Sequence, residues 1–234
     1  MRKGRRVPLD EPMRGEWQAA FDSASITHST LKDSIEVMIR RALLNGDMRA
    51  GEIFSANKLA QQLGISNSPA REAMMKLVNK GLLELVRNRG FRVVQLSDRD
   101  KREVYELRLQ VEVEAVRRVA AQGITEHQAD LLQRLAEETS RLAHPETIGD
   151  YLEVDQRFHT SIVDFLGNRR WTEIVENLRD QSRVNGHYDF LRTDEHLAEA
   201  TEQHRRIAQA VIDGEPDLAA ALMVQHLEYA RPHS

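Results

Sequence analysis

The sequence of 234 residues contains no cysteine, which excludes disulfide staples and thiolate metal sites. It has no apolar run approaching the roughly 20 residues that a membrane-spanning helix needs. The basic opening MRKGRRVPLDEP is not followed by an apolar stretch, so it does not read as a signal peptide. A cytoplasmic location with no membrane partner is the expectation. A strong net charge is also missing: the chain carries −4. No internal repeat and no low-complexity tract interrupts it.

What is present divides unevenly. Residues 1–96 carry +6 and residues 97–234 carry −10, which together give the −4. A basic module joined to an acidic one fits nucleic-acid binding by the first alone. Hydrophobic residues make up 41% and charged residues 30%, ordinary for a globular protein, and the length suits two domains. Residues 1–28, with Gly4, Pro8, Pro12 and Gly15 among scattered charges, read as a flexible arm with a short helix near Trp17–Phe21.

Over residues 29–96 the spacing predicts helices at about 30–44 and 56–63. Ser55 is placed to start the second, and Gly64 to close it in a left-handed conformation. A third helix is expected to start at Ser68-Pro69 and stop at Gly81. Two β-rich runs, Leu82–Val86 and Phe91–Gln95, flank Arg87-Asn88-Arg89-Gly90 and read as a hairpin. Three helices and a hairpin make a winged helix-turn-helix. The third helix fits the major groove, and its first turn presents Ser66, Asn67, Ser68 and Arg71 to base edges and phosphates. Arg87, Asn88, Arg89 and Gly90 form a basic wing tip suited to the minor groove.

From Ser97 onward the chain is expected to be all-α, a bundle with helices at about 98–121, 126–143, 148–166, 169–186, 194–213 and 216–230. Polar residues interrupt the apolar stripes. Asp155 and His159 sit one turn apart among Leu152, Phe158, Ile162 and Phe165. His204 interrupts Leu197, Ile207 and Val211, and His226 interrupts Ala219, Leu222 and Tyr229. One carboxylate and three imidazoles thus face one core. Buried together they are costly unless partnered. They are also a donor set for a divalent cation, with zinc, nickel, cobalt, manganese and iron as candidates. A lone inward histidine is more often a hydrogen-bonded core residue. His28, His127, His144, His187, His196 and His233 read as surface or capping residues.

The stretch from Gly46 to Val93 resembles the DNA-binding domain of the GntR family. The resemblance rests on Leu59-Ala60, Leu63-Gly64-Ile65-Ser66, Pro69-Ala70-Arg71-Glu72-Ala73, Gly81-Leu82-Leu83 and Arg89-Gly90. Asn57 and Asn67 stand where that family usually has arginine, and Ala50 where it has proline, so the operator is not read across. Residues 98–230 resemble the FCD domain of the FadR-like subfamily. The matches are Glu106-Leu107-Arg108 with Val111-Glu112, Asp155-x-x-Phe158-His159, Gly167-Asn168, His204-x-x-Ile207 and His226-Leu227. The usual Glu-His pair is Gln203-His204 here.

This resemblance implies that Asp155, His159, His204 and His226 bind a divalent metal. A small carboxylate effector would complete the metal's shell. Arg108 would either clamp that effector or make a surface salt bridge with Glu112 at i+4, and Arg183 and Asn185 would line the pocket. The function implied is a regulator, expected to be a repressor, acting as a homodimer on double-stranded operator DNA. The rival readings are a metal-dependent enzyme, for which no base motif stands out, and a helical scaffold with an accessory DNA-binding domain.

Overall fold

The computed structural model describes residues 31–186 and 193–232. The arm expected over 1–28 and the short helix expected near Trp17–Phe21 fall outside the described residues, as do His28, His187 and His233.

Helix α1 (Leu31–Asn45) buries Ile35, Ile39, Ala42 and Leu43 along one face. Helix α2 (Ala56–Leu63) follows strand β1 (Ile53–Phe54) and ends on Gly64 at φ 65°, a left-handed cap that glycine adopts without strain. Helix α3 (Asn67–Asn79) begins earlier than the Ser68-Pro69 signal implied. Ser66 is extended at the N-cap, and Pro69 occupies the third helical position. Proline is tolerated there because the first turn of a helix leaves its N–H groups without intrahelical partners.

Strands β2 (Leu83–Val86) and β3 (Gly90–Val93) form the expected hairpin, with Leu85 opposite Phe91 and Val86 opposite Gly90. Strand β1 pairs with the other edge of β3, Phe54 opposite Phe91, giving the order β1-β3-β2. The sequence reading missed β1, because two residues carry no period. Gly90 sits at φ 122°, and a Cβ there would stand 2.3 Å from the Phe54 carbonyl oxygen. Closeness of β1 to β3 therefore demands glycine at this position, whatever the wing touches. Ile39, Leu43, Met74, Leu77, Leu82, Leu83, Phe91 and Val93 fill the core of this half.

Helix α4 (Asp98–Gln122) opens on a capping box: Ser97 Oγ accepts from the Asp100 amide, and Asp100 accepts from the Ser97 amide. Helix α5 (Glu126–Arg141) opens the same way on Thr125 and Gln128. A 3₁₀ turn (Pro145–Thr147) leads to α6 (Ile148–Asp164), then α7 (Arg169–Val184) and α8 (Asp194–Ile212). Helix α9 (Pro216–Leu227) passes into a 3₁₀ turn (Glu228–Ala230). Several helices stop one to three residues short of the spacing-based ends, because apolar contact continues past the last helical bond. Tyr229 shows this: it lies on the 3₁₀ turn, not on α9, yet packs on the core. Val116, Leu132, Phe158, Ile162, Ile207, Val211, Leu222 and Leu227 form that core.

Helix α7 joins the halves. Arg40 on α1 donates to both carboxylate oxygens of Asp180, at 2.6 and 2.7 Å. Gln181 donates to the Lys80 carbonyl at the end of α3, and Val184 packs against the N-terminal core.

Candidate metal centre and DNA-binding face

Helical spacing puts Asp155 and His159 on the inner face of α6, while α8 and α9 supply His204 and His226. All four are buried, and one ligand atom from each lies within 4.8 Å of the others. His159 Nε2 and His226 Nε2 are 3.1 Å apart, and Asp155 Oδ1 lies 3.4 Å from His204 Nε2.

The far nitrogens of the rings decide what these atoms can do. Thr139 gives its hydroxyl proton to the Ala136 carbonyl, so toward His204 Nδ1, 3.3 Å away, its oxygen acts as an acceptor. His204 therefore carries its proton on Nδ1. Gln203 turns its amide nitrogen to Glu199 and its Oε1 to His226 Nδ1 at 2.9 Å, which puts the proton of His226 on Nδ1 too. His159 Nδ1 faces the Glu112 carboxylate at 2.9 Å. Three Nε2 lone pairs and a carboxylate oxygen are thereby aimed at one place. Lone pairs 3.1 Å apart repel unless a positive charge lies between them. Asp155 Oδ1 and His204 Nε2 are also buried without a hydrogen bond among the described residues. The donor set fits a divalent cation, and the acceptors behind the rings are those that orient metal-binding histidines.

Electrostatics agrees. Burial pushes the His159 pKa down, and Arg179 adds to the effect, leaving it at about 4. Burial and the two neighbouring imidazoles hold His226 well below its ordinary value. These rings are neutral, as ligands must be. Burial would raise Asp155, but Arg179 leads the groups that hold it well below the ordinary carboxylate range. Glu112 is likewise lowered, Arg108 and Arg179 together overcoming burial.

Arg108 does pair with Glu112 at 2.7 Å, but the pair is buried rather than superficial, and Arg108 also donates to Ser182. Arg183 and Asn185 point elsewhere than expected. Arg183 donates to the Leu44 carbonyl and Asn185 accepts from the Leu96 amide, so both engage the N-terminal half. Helix α7 turns that side outward from the cluster.

Sequence reasoning missed Arg179, which is fully buried and donates to Glu112, Asp155 and Gln156. The signal was available: Arg179 and Ser182 interrupt the stripe begun by Val175 and Leu178, as the histidines interrupt theirs.

On the N-terminal half, Asn57, Ser66, Asn67, Ser68, Arg71, Arg87, Asn88 and Arg89 are exposed. Ser68 donates to Glu72, and the Arg71 guanidinium lies 5.8 Å over the Phe91 ring, which sets it between α3 and the wing. Asn88 takes φ 60° at the wing tip, a conformation asparagine tolerates.

Residues 31–93 match the gntR family of bacterial regulatory proteins, and residues 103–229 match the FCD domain. The chain belongs to the GntR family. It is similar to the HTH-type transcriptional regulator YdhC of Bacillus subtilis (strain 168), 29% identical over 83% of this chain and 87% of that one. The HTH-type transcriptional repressor GlaR of Escherichia coli (strain K12) is 27% identical over 81% and 89%. Among solved structures, E. coli McbR/YncC superposes with a TM-score of 0.76 at 21% identity, over 86% and 94% of the two chains. A GntR regulator from Rhodococcus sp. RHA1 gives 0.69 at 21% identity over 87% and 96%. Like other GntR proteins with an FCD domain, this one is a DNA-binding transcriptional regulator and not an enzyme. Among the described residues, no helix is long and apolar enough to cross a membrane.

Proposed function

We propose that this GntR regulator is a metal-dependent sensor of a small carboxylate, and that it represses transcription by binding operator DNA as a homodimer. The observation that carries the reading is the shared orientation of three imidazoles, each with an oxygen of Thr139, Gln203 or Glu112 facing its Nδ1 and its Nε2 turned toward Asp155 Oδ1 and a common centre. Asp155, His159, His204 and His226 would hold the ion. Zinc is the first candidate, with nickel, manganese, cobalt and iron also compatible. The ion supplies a Lewis-acidic centre on which an anionic oxygen docks. A metal of coordination number five or six keeps a position for such an oxygen beyond four protein ligands.

Charge supports an anionic effector. Arg108 and Arg179 already balance Glu112 and Asp155 in the buried cluster, so a divalent ion adds uncompensated positive charge. In this reading Arg108 shares its donors between Glu112 and the effector carboxylate. The winged domains would read two half-sites of a palindrome, with Asn57, Ser66, Asn67, Ser68 and Arg71 in the major groove and Arg87, Asn88, Arg89 and Gly90 at the minor groove. An effector with different affinity for the bound and free arrangements shifts the population between them.

The test is a thermal-shift screen of small carboxylates against apo and zinc-loaded protein, followed by DNA-binding assays on the fragment upstream of its own gene. A metal-dependent upward shift for one acid, which also releases the DNA, is expected. Equal shifts with and without metal would overturn the metal-dependent part.

A further inference from the structure

Arg179 and Asp180 are adjacent on α7 and reach in opposite directions. Arg179 donates to Asp155 Oδ2, the carboxylate whose other oxygen faces the histidines. Asp180 receives both donors of Arg40 from α1 in the DNA-binding half. Gln156, next to Asp155 on α6, spans the gap. Its Oε1 accepts from Arg179 Nε at 3.2 Å, and its Nε2 donates at 3.4 Å both to Asp180 Oδ1 and to the Glu176 carbonyl on the same helix. The orientation of this amide is unambiguous, since a guanidinium can only donate and a carboxylate can only accept. An unbroken polar chain thus runs from the candidate metal ligand Asp155 through Arg179, Gln156 and Asp180 to Arg40.

The chain has little slack. Arg179 is 0%, Asp180 1% and Gln156 9% exposed, so water cannot readily replace a missing partner. Burial raises the Asp180 pKa and Arg40 opposes the rise, so this carboxylate depends on staying paired. The other bonds across the junction lack this continuity. Gln181 and Arg183 donate to backbone carbonyls, Asn185 accepts from the Leu96 amide, Arg40 also meets Glu176 at 3.5 Å, and Arg41 meets Asp150 at 3.2 Å and Glu153 at 3.8 Å on the surface.

We propose that Arg40, Asp180 and Gln156 are positioning residues that couple occupancy of the metal centre to the seating of α1, and through α1 to the DNA-binding domain. A cation that engages Asp155 Oδ1 changes the charge and place of the carboxylate that anchors Arg179. Arg179 must then adjust within a fixed set of partners, and Gln156 and Asp180 transmit the adjustment to Arg40. This rests on the metal reading above. It adds that coupling passes through this chain rather than through general packing of the two halves, a distinction that needs direct coupling data.

The experiment is hydrogen exchange of the full chain, with and without zinc, read over residues 31–45. Zinc uptake is measured separately by competition with a chromophoric chelator. Zinc is expected to change exchange in α1 by about fivefold or more, the lower end of ordinary allosteric coupling. Gln156→Met and Arg40→Met should each still take up one equivalent of zinc, yet lose the response of α1. The double variant should lose no more than either single one. Arg41→Met, which breaks only the surface pairs with Asp150 and Glu153, should keep the response. If α1 responds in Gln156→Met and Arg40→Met as in the parent, or does not respond in the zinc-loaded parent, the relay is wrong while the metal site stands. If the parent takes up no zinc, the metal reading falls and the relay with it. The conservative variant Arg40→Lys keeps the charge but not the two-pronged bond, and partial rescue of the response is expected from it.

Discussion

Thr139 stands behind His204 as an acceptor, because its own proton is committed to the Ala136 carbonyl. That relationship sets the tautomer of the ring on its far side. Thr139→Val keeps the shape and removes the acceptor, leaving a buried N–H unpaired and freeing His204 to change tautomer. Zinc affinity is expected to fall about 10–100-fold, the usual cost of losing a group that orients a ligand. Thr139→Ser should stay near the parent. Chelator competition measures both, and an unchanged affinity in Thr139→Val would show that packing alone orients the ring.

Metal loading should stabilise the C-terminal domain. At a hundredfold excess of free zinc over its dissociation constant, linkage gives about 2.7 kcal/mol. For a chain of this size that corresponds to a rise of roughly 5–10 °C in Tm. His204→Ala should abolish the rise together with metal content. Calorimetry with parallel metal analysis checks both, and metal content that survives the substitution would remove His204 from the site.

Much of this was legible in the chain, and the reasons differ by element. Gly64, Gly81 and the Asn88 turn punctuate the winged domain, so its three helices and hairpin could be placed from local chemistry. The four candidate ligands were legible because each is a polar interruption of an apolar stripe. Arg179 and Glu112 were harder. Arg179 interrupts an apolar stripe, but its charge and that of Glu112 cancel only when α4, α6 and α7 are packed, which spacing along one helix does not show. Thr139 carries no ligand signal at all: its role is a proton count that needs both neighbours in place. The bonds of Arg183 to Leu44 and of Asn185 to Leu96 were not legible, because a junction between the two halves cannot be read from either half alone.

The pair Arg40–Asp180 predicts an unusual pH dependence. Burial pushes the Asp180 carboxyl above its ordinary value, and Arg40 only partly offsets this. A carboxyl with a raised folded pKa contributes stability that is complete below its unfolded pKa of about 4 and is lost as the pH rises through the folded value. Removing the cation should widen that window. Arg40→Met is expected to cost about 1–3 kcal/mol at pH 7, as an unsatisfied buried acceptor does, and to recover part of it toward pH 5. In Asp180→Asn this pH dependence should disappear. Urea unfolding at both pH values decides it, and an equal loss at both would mean that Asp180 is not the titrating group.

The two parts of the DNA-binding face should fail in different ways. Arg71 and Asn67 lie at the start of α3, where a side chain can read base edges, whereas Arg87 and Arg89 flank the wing tip. Arg71 also leans over Phe91, so swinging into the groove means leaving the ring, at a cost of about 0.5–1 kcal/mol at an exposed site. If Arg71 bonds a guanine, Arg71→Ala should cost about 1–3 kcal/mol on the preferred sequence and much less on scrambled DNA. Arg87→Ala with Arg89→Ala should weaken both DNAs alike and lower the slope of log affinity against log salt by about 2, one for each phosphate no longer neutralised. Fluorescence anisotropy over a salt series separates the outcomes. A wing variant that changes sequence preference but not salt slope would place base reading in the wing and reduce α3 to a docking helix.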